Sequence, residues 1–194
     1  MIIQFFDQKK IIFFKFVIYG PESSGKTLFF KWLANLYSLE NVASISSTDG
    51  STIFYDYGHY IEDIYHQTNL MVAVWTSAGS QERIVTRRTV IKNTDIIIFL
   101  IDSRRENLDK SLDSWREICK FAPTAPKVLV LNHFGSNNEI DAFDIRNNFE
   151  LADSTLIHDV NCLSGKGINK VFEFILQNIQ DFVFLRKKMI GSRK

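Results

Sequence analysis

The chemically most specific stretch of the chain is Gly20-Pro21-Glu22-Ser23-Ser24-Gly25-Lys26-Thr27. It fits the spacing G-x-x-x-x-G-K-[ST], in which a glycine-permitted tight turn aims successive backbone N–H groups at phosphate oxygens. A helix that begins at the lysine adds the partial positive charge of its N-terminus. In this frame Lys26 reaches the β- and γ-phosphates of a nucleotide, and the Thr27 hydroxyl ligates Mg²⁺. Leu28, next at the helix start, completes the local nucleotide-binding set. As a loop residue Lys26 is expected to be exposed. The competing reading is a plain Gly/Ser turn between a strand and a helix, and the flanking sequence decides against it.

Those flanking elements follow from patterning. Residues 11–19 form a β-branched and aromatic run, as a strand buried on both faces requires. From 26 to 37 the apolar positions Leu28, Phe29, Trp32, Leu33 and Leu36 recur at helical spacing. Residues 46–51 read as a polar loop, and strands are expected at 52–57, 70–76, 95–101 and 127–132. Helices are expected at 108–121, 140–149 and 167–185. Strands alternating with helices predict an α/β fold with a mainly parallel sheet and helices on both faces.

Composition narrows the function classes. The chain has 194 residues, 45% hydrophobic and 23% charged, which is a globular and not a disordered balance. A net charge of +1 provides no global field for nucleic acid or a membrane surface. Cys119 and Cys162 match neither a metal knuckle nor a disulfide framework, which points to a reducing, cytoplasmic setting. No apolar run reaches the roughly 18 residues of a membrane span. A cleaved leader and a lipid anchor are likewise not expected. His59, His66, His133 and His158 are scattered without metal spacing. Arg186, Lys187, Lys188, Arg193 and Lys194 make residues 186–194 a basic tail, a solvated end or a weak contact for anionic lipid.

The phosphate loop alone also resembles that of RecA-type ATPases. The order of motifs over residues 12–185 resembles the Ras-superfamily small GTPases, closest to the bacterial gliding-polarity (MglA-like) group and related archaeal ones. The carriers are the 15–21 entry, Ser47-Thr48-Asp49-Gly50-Ser51-Thr52-Ile53-Phe54-Tyr55-Asp56, Trp75-Thr76-Ser77-Ala78-Gly79, Thr86-Arg87-Arg88, the run 94–103, Leu131-Asn132, and Asn161-Cys162-Leu163-Ser164-Gly165-Lys166-Gly167. The resemblance implies a P-loop small-GTPase fold spanning 1–194, with GTP or GDP and Mg²⁺ as cofactors. It makes Thr52 the threonine that senses Mg²⁺ and the γ-phosphate, where the local reading is a strand-edge Thr. It gives Gly79 the N–H that tracks the γ-phosphate, where the local reading is a turn glycine. Asn132, His133, Cys162 and Leu163 fall at the base.

Several positions depart from that pattern. Thr76 stands where most small GTPases carry an Asp, as it does in the gliding-polarity group. Ser80 occupies the place of the water-orienting glutamine, with Gln81 one step on as the candidate catalytic residue. Ser51 stands where the gliding-polarity group has its arginine, and Glu22 where a small residue is usual. The guanine-reading Asn-Lys-x-Asp reads Asn132-His133-Phe134-Gly135, with Glu139 and Asp141 near enough to substitute if the loop bulges. The expected function is a small-GTPase switch with slow unaided hydrolysis. The alternatives are a pseudo-GTPase scaffold and a RecA-like ATPase. A roadblock-fold regulator is the partner that the resemblance implies.

Overall fold

The computed structural model describes residues 2–6, 9–46, 52–65, 68–79 and 84–179. The apolar run after the N-terminus becomes β2 (Lys9–Tyr19), preceded by β1 (Ile2–Phe6). Then follow α1 (Lys26–Leu36), β3 (Glu40–Ser46), β4 (Thr52–Tyr65), β5 (Thr68–Thr76) and α2 (Ile84–Ile91). The chain continues through β6 (Ile96–Asp102), α3 (Leu108–Phe121), β7 (Lys127–Asn132), α4 (Ala142–Asn148), β8 (Ile157–Val160) and α5 (Ile168–Gln177).

β2 lies inside the sheet, paired in parallel with β5 from Lys10↔Thr68 to Ile18↔Thr76 and with β6 from Phe16↔Ile96 to Tyr19↔Phe99. The strand order is β3-β4-β5-β2-β6-β7-β8, with β1 antiparallel to the first half of β2. The sheet is therefore mixed: β2, β5, β6, β7 and β8 run parallel, whereas β3 and β4 pair antiparallel. The 52–57 strand of the sequence pattern extends to Tyr65, because β5 offers it a partner along that length.

Alternation along β2 divides the core. Phe16 and Ile18 pack with Phe29, Phe30 and Leu33 of α1 and Val171, Phe172 and Ile175 of α5. Val17 and Tyr19 face the opposite side, with Val90 and Ile91 of α2, Ile118 of α3 and Ile145 of α4. Phe16 and Phe172 meet edge to face at 6.1 Å between centroids, a geometry that adds about 0.5–1.5 kcal/mol to simple burial. The buried stripe of α1 is Phe29, Phe30 and Leu33; Leu28 and Leu36 are exposed, a rotation of the expected face. The rotation brings Lys26 inward with that stripe.

The helix expected at 167–185 begins at Ile168 and is assigned to Gln177; residues from 180 onward lie outside those described. β1, β3, α2 and β8 had no clear signal in the sequence. Functionally, β2, β5, β6 and β7 end on one edge of the sheet, the edge at which open α/β sheets bind ligands. No described helix is long and apolar enough to cross a membrane.

Candidate functional site

β2 ends at Tyr19 and α1 starts at Lys26, so the phosphate loop sits on the strand-ending edge of the sheet. Gly25 caps the helix at φ 97°, a left-handed conformation suited to glycine. A Cβ there would also stand 2.5 Å from the Asn132 side-chain nitrogen. No side chain caps the first turn of α1, and no acidic residue lies in it. Its amides are the ready anion donors of a helix N-terminus.

Lys26 is buried, contrary to the exposure expected of a loop lysine. Its ammonium donates to the carbonyls of Gly20 (3.0 Å) and Pro21 (2.5 Å). Burial, then the charge of Arg87, push its pKa down to about 7, against the opposing pull of Glu22 and Asp56. A polyphosphate beside it favours the charged form and reverses that shift. Glu22 and Ser23 are exposed and Ser24 is buried.

The next residue of the motif meets a carboxylate that sequence reasoning gave no role. The Thr27 hydroxyl donates to Asp56 Oδ2 at 3.2 Å, and the Thr76 hydroxyl donates to the same oxygen at 2.9 Å. Thr76 Oγ1 also accepts from the Asp56 amide at 2.7 Å. Asp56 comes from β4 and is 1% exposed. Thr76, at the end of β5, thus occupies the sequence position of the missing aspartate, while Asp56 brings a carboxylate to its side from the neighbouring part of the sheet. A threonine hydroxyl and a carboxylate are hard oxygen donors, which suits Mg²⁺ held by one protein carboxylate and by substrate phosphates. Among the described residues no larger group of His, Cys, Asp or Glu gathers at metal spacing. Thr52 opens β4, and its side chain lies outside the described residues.

Gly79 follows β5 against the phosphate loop. A Cβ on it would stand 2.6 Å from Glu22 Cα and 2.8 Å from Lys26 Nζ, so only glycine permits this approach. Its carbonyl accepts from Arg87 Nη1 at 3.1 Å, and Arg87 pairs with Glu117 of α3 at 2.7 Å. Ser51, Ser80 and Gln81, the positions that the resemblance ties to hydrolysis, lie outside the described residues.

At the base end Asn132 is fully buried. Its amide nitrogen donates to Ser24 O at 2.9 Å, and its oxygen accepts from the Cys162 amide at 2.9 Å. It therefore ties the phosphate loop to the 161–167 loop. Cys162 is buried, while Leu163 is exposed at the rim. His133 lies between two carboxylates, Nδ1 2.7 Å from Glu139 and Nε2 2.8 Å from Asp159. Partial burial disfavours its imidazolium, but the hydrogen bonds and charges of Asp159 and Glu139 prevail and raise its pKa.

Both carboxylates considered as replacements for the missing guanine acceptor already accept from backbone amides. Glu139 accepts from the amides of Phe134 (2.8 Å) and Ser136 (3.1 Å) besides its contact with His133. Its desolvation is outweighed by these bonds, and its pKa falls to about 2. Asp141 caps α4 by accepting from the Asp144 amide at 2.8 Å. At Gly135 itself, a Cβ would meet nothing within 4 Å.

Fold and site together define a P-loop domain of the small-GTPase class. Residues 15–135 match the family model described as Roc, the Ras-of-complex domain of DAPkinase. The chain belongs to that family. Among solved structures, the Arl6 (BBS3) small GTPase from Trypanosoma brucei, determined with a bound nucleotide analogue (GppNp), aligns with a TM-score of 0.66. The alignment covers 88% of this chain and 99% of that one at 17% identity, a likeness of fold. No curated protein matches the chain significantly.

Proposed function

We propose that this chain is a nucleotide-dependent switch that binds GTP and GDP with Mg²⁺ and hydrolyses GTP slowly unless a partner assists. The observation that carries this reading is the cluster at the start of α1: buried Lys26 beside the loop carbonyls, and Thr27 sharing Asp56 with Thr76. Lys26 and the helix-terminal amides bind the phosphates, and Thr27 and Asp56 hold the metal, with Thr52 added by resemblance. When bound, Mg²⁺ neutralises charge on the phosphate oxygens. Gly79, seated against Glu22 and Lys26, is placed to register the terminal phosphate and to pass its position to Arg87 and α3.

Hydrolysis is the weaker half of the switch. The chain has serines at the positions of the family's arginine and glutamine, Ser51 and Ser80. An arginine in this chemistry is worth about 10³- to 10⁵-fold in rate. The motif order, with Thr76 in place of Asp, supports a position near the gliding-polarity group and hence a roadblock-fold regulator as partner. One observation favours a second reading, a scaffold that holds nucleotide without turnover: around Gly135, Glu139 and Asp141 already accept hydrogen bonds from backbone amides of the protein itself.

Single-turnover hydrolysis separates the two. The switch reading expects slow wild-type turnover that Ser51→Arg with Ser80→Gln accelerates, and a further drop on Gln81→Ala if that residue has taken the glutamine's place. Turnover that stays at background in the double variant favours the scaffold. Fast wild-type hydrolysis indifferent to Gln81→Ala contradicts the assignment of catalytic positions.

A further inference from the structure

Several carbonyls of the phosphate loop are held by side-chain nitrogens. Gly20 and Pro21 accept from Lys26, and Ser24 accepts from Asn132. Both donors belong to nucleotide motifs. The Ser23 carbonyl accepts from a residue that belongs to none, Arg104 Nη2 at 3.4 Å.

Arg104 leaves the end of β6 with its guanidinium already fixed. Asp102, fully buried, takes Nε at 3.0 Å and Nη2 at 2.6 Å in a bidentate pair. The same carboxylate accepts from the Arg104 amide and from Asn107 Nδ2, both at 3.0 Å. The guanidinium covers the Phe134 ring at 4.3 Å. The backbone is stitched to the base-side segment as well: Arg104 bridges Glu139, and the Ile140 amide donates to Ser103 O at 2.7 Å. A planar guanidinium held on one edge and stacked on one face has little freedom left to lose.

Its target is a conformationally costly residue. Ser23 has φ 61°, a left-handed conformation uncommon outside glycine. In a trans peptide the N–H points opposite the carbonyl. Holding Ser23 O therefore turns the Ser24 amide inward, where it lies 3.4 Å from Pro21 O.

We propose that Arg104 is a positioning residue for the bound nucleotide, fixing the Ser23–Ser24 peptide of the phosphate loop and, through Phe134, the segment after Asn132. It holds the phosphate and base ends of the site in one register. The inference rests on the nucleotide-binding reading above.

The test is the release rate of a fluorescent GDP analogue from the full chain in Mg²⁺. Arg104→Ala is expected to speed release about tenfold, the scale of one charge-assisted hydrogen bond. Arg104→Lys, which keeps the charge without the fork, should recover part of the loss, as a structural void-filling role would not require. Ser23→Gly, which removes the strain, should shrink the effect of Arg104→Ala to threefold or less. If Arg104→Ala fails to fold because Asp102 is left buried and unpaired, Asp102→Asn with Arg104→Gln removes both charges, and the same tenfold acceleration is expected. Release within twofold of wild type in whichever variant folds overturns the proposal, as does a Lys variant no slower than the Ala variant. A wild-type chain that binds no nucleotide overturns the underlying reading as well, so the two failures are distinct.

Discussion

At the phosphate end of the site, a residue missing from its sequence position has a replacement nearby in space. Thr76 lacks the expected carboxylate, but Asp56 on β4 brings one to the Thr76 hydroxyl and to Thr27. At the base end the loss has no such repair. Gly135 stands in open space, Glu139 is consumed by His133 and two loop amides, and Asp141 caps a helix. The difference follows from what surrounds each end. Asp56 lies inside the sheet, where β4 and β5 are held in fixed register, so a side chain can be exchanged across strands. The base-facing segment is a loop beside which Glu139 holds the loop amides and Asp141 holds the start of α4.

The largest loss is expected at the phosphate end. Lys26→Met keeps the buried stem and removes the ammonium, and it should weaken triphosphate binding on the order of 100-fold while the chain still folds. Calorimetry with GTP and a thermal melt check both halves of that statement. An affinity unchanged from wild type would remove the phosphate loop from the account.

A smaller loss tests the exchange of carboxylate and hydroxyl. Asp56→Asn should weaken Mg²⁺-dependent nucleotide binding by about 30-fold and leave much of the metal-independent affinity. Thr76→Asp alone sets a second carboxylate beside the first, which costs stability because both cannot ionise easily. Asp56→Thr combined with Thr76→Asp should restore much of the Mg²⁺ dependence, read by titration with and without a chelator. If the double swap binds no better than Asp56→Asn, the carboxylate is not interchangeable between the two strands.

At the base end the expected effect is a gain. Gly135→Asp should widen the preference for GTP over ATP about tenfold, within the roughly 1–3 kcal/mol that such contacts provide. Gly135 has φ 76°, which Asp tolerates better than most residues, and open space awaits the side chain. An unchanged ratio puts the base elsewhere.

The smallest effect belongs to the His133 cluster. The folded pKa of His133 lies above its ordinary 6.5, so this stabilisation is complete below pH 6.5 and is lost as pH rises through the raised value. That of Glu139 lies below its ordinary 4.5, so its contribution is complete above pH 4.5 and is lost as pH falls toward about 2. Melting temperature should therefore decline on both sides of a window between these values. His133→Gln should flatten the alkaline side, with a shift of about 2 °C or less for so exposed a group. An alkaline limb that is identical in the variant assigns the decline to other groups.

Much of this architecture could be read from residue patterns. The β2 run, the phosphate loop and the α3 and β7 boundaries were legible because each is strongly periodic or carries glycine punctuation. β3 and β8 were not, since short strands such as Ile157–Val160 acquire their identity from a neighbour's pairing. Within the site, Lys26 and Thr27 are legible because their spacing is tied to loop geometry, and Asn132 is legible through the motif order that resembles the small GTPases. Asp56 and Arg104 were hidden for the opposite reason. Asp56 reaches Thr27 from β4 across 29 residues and Arg104 reaches Ser23 from just beyond β6 across 81, and no local spacing records such contacts. The burial of Lys26 is not legible in the sequence, because no local spacing records that Gly79 packs against its ammonium.

An intact phosphate end joined to a base end with Gly135 in place of the guanine-reading Asp sets the ratio of GTP to ATP affinity, measured side by side on the wild-type chain in Mg²⁺. Both triphosphates are expected to bind, with GTP favoured by a margin that Gly135→Asp enlarges. Failure to bind either triphosphate, or a strong preference for ATP, would contradict that expectation.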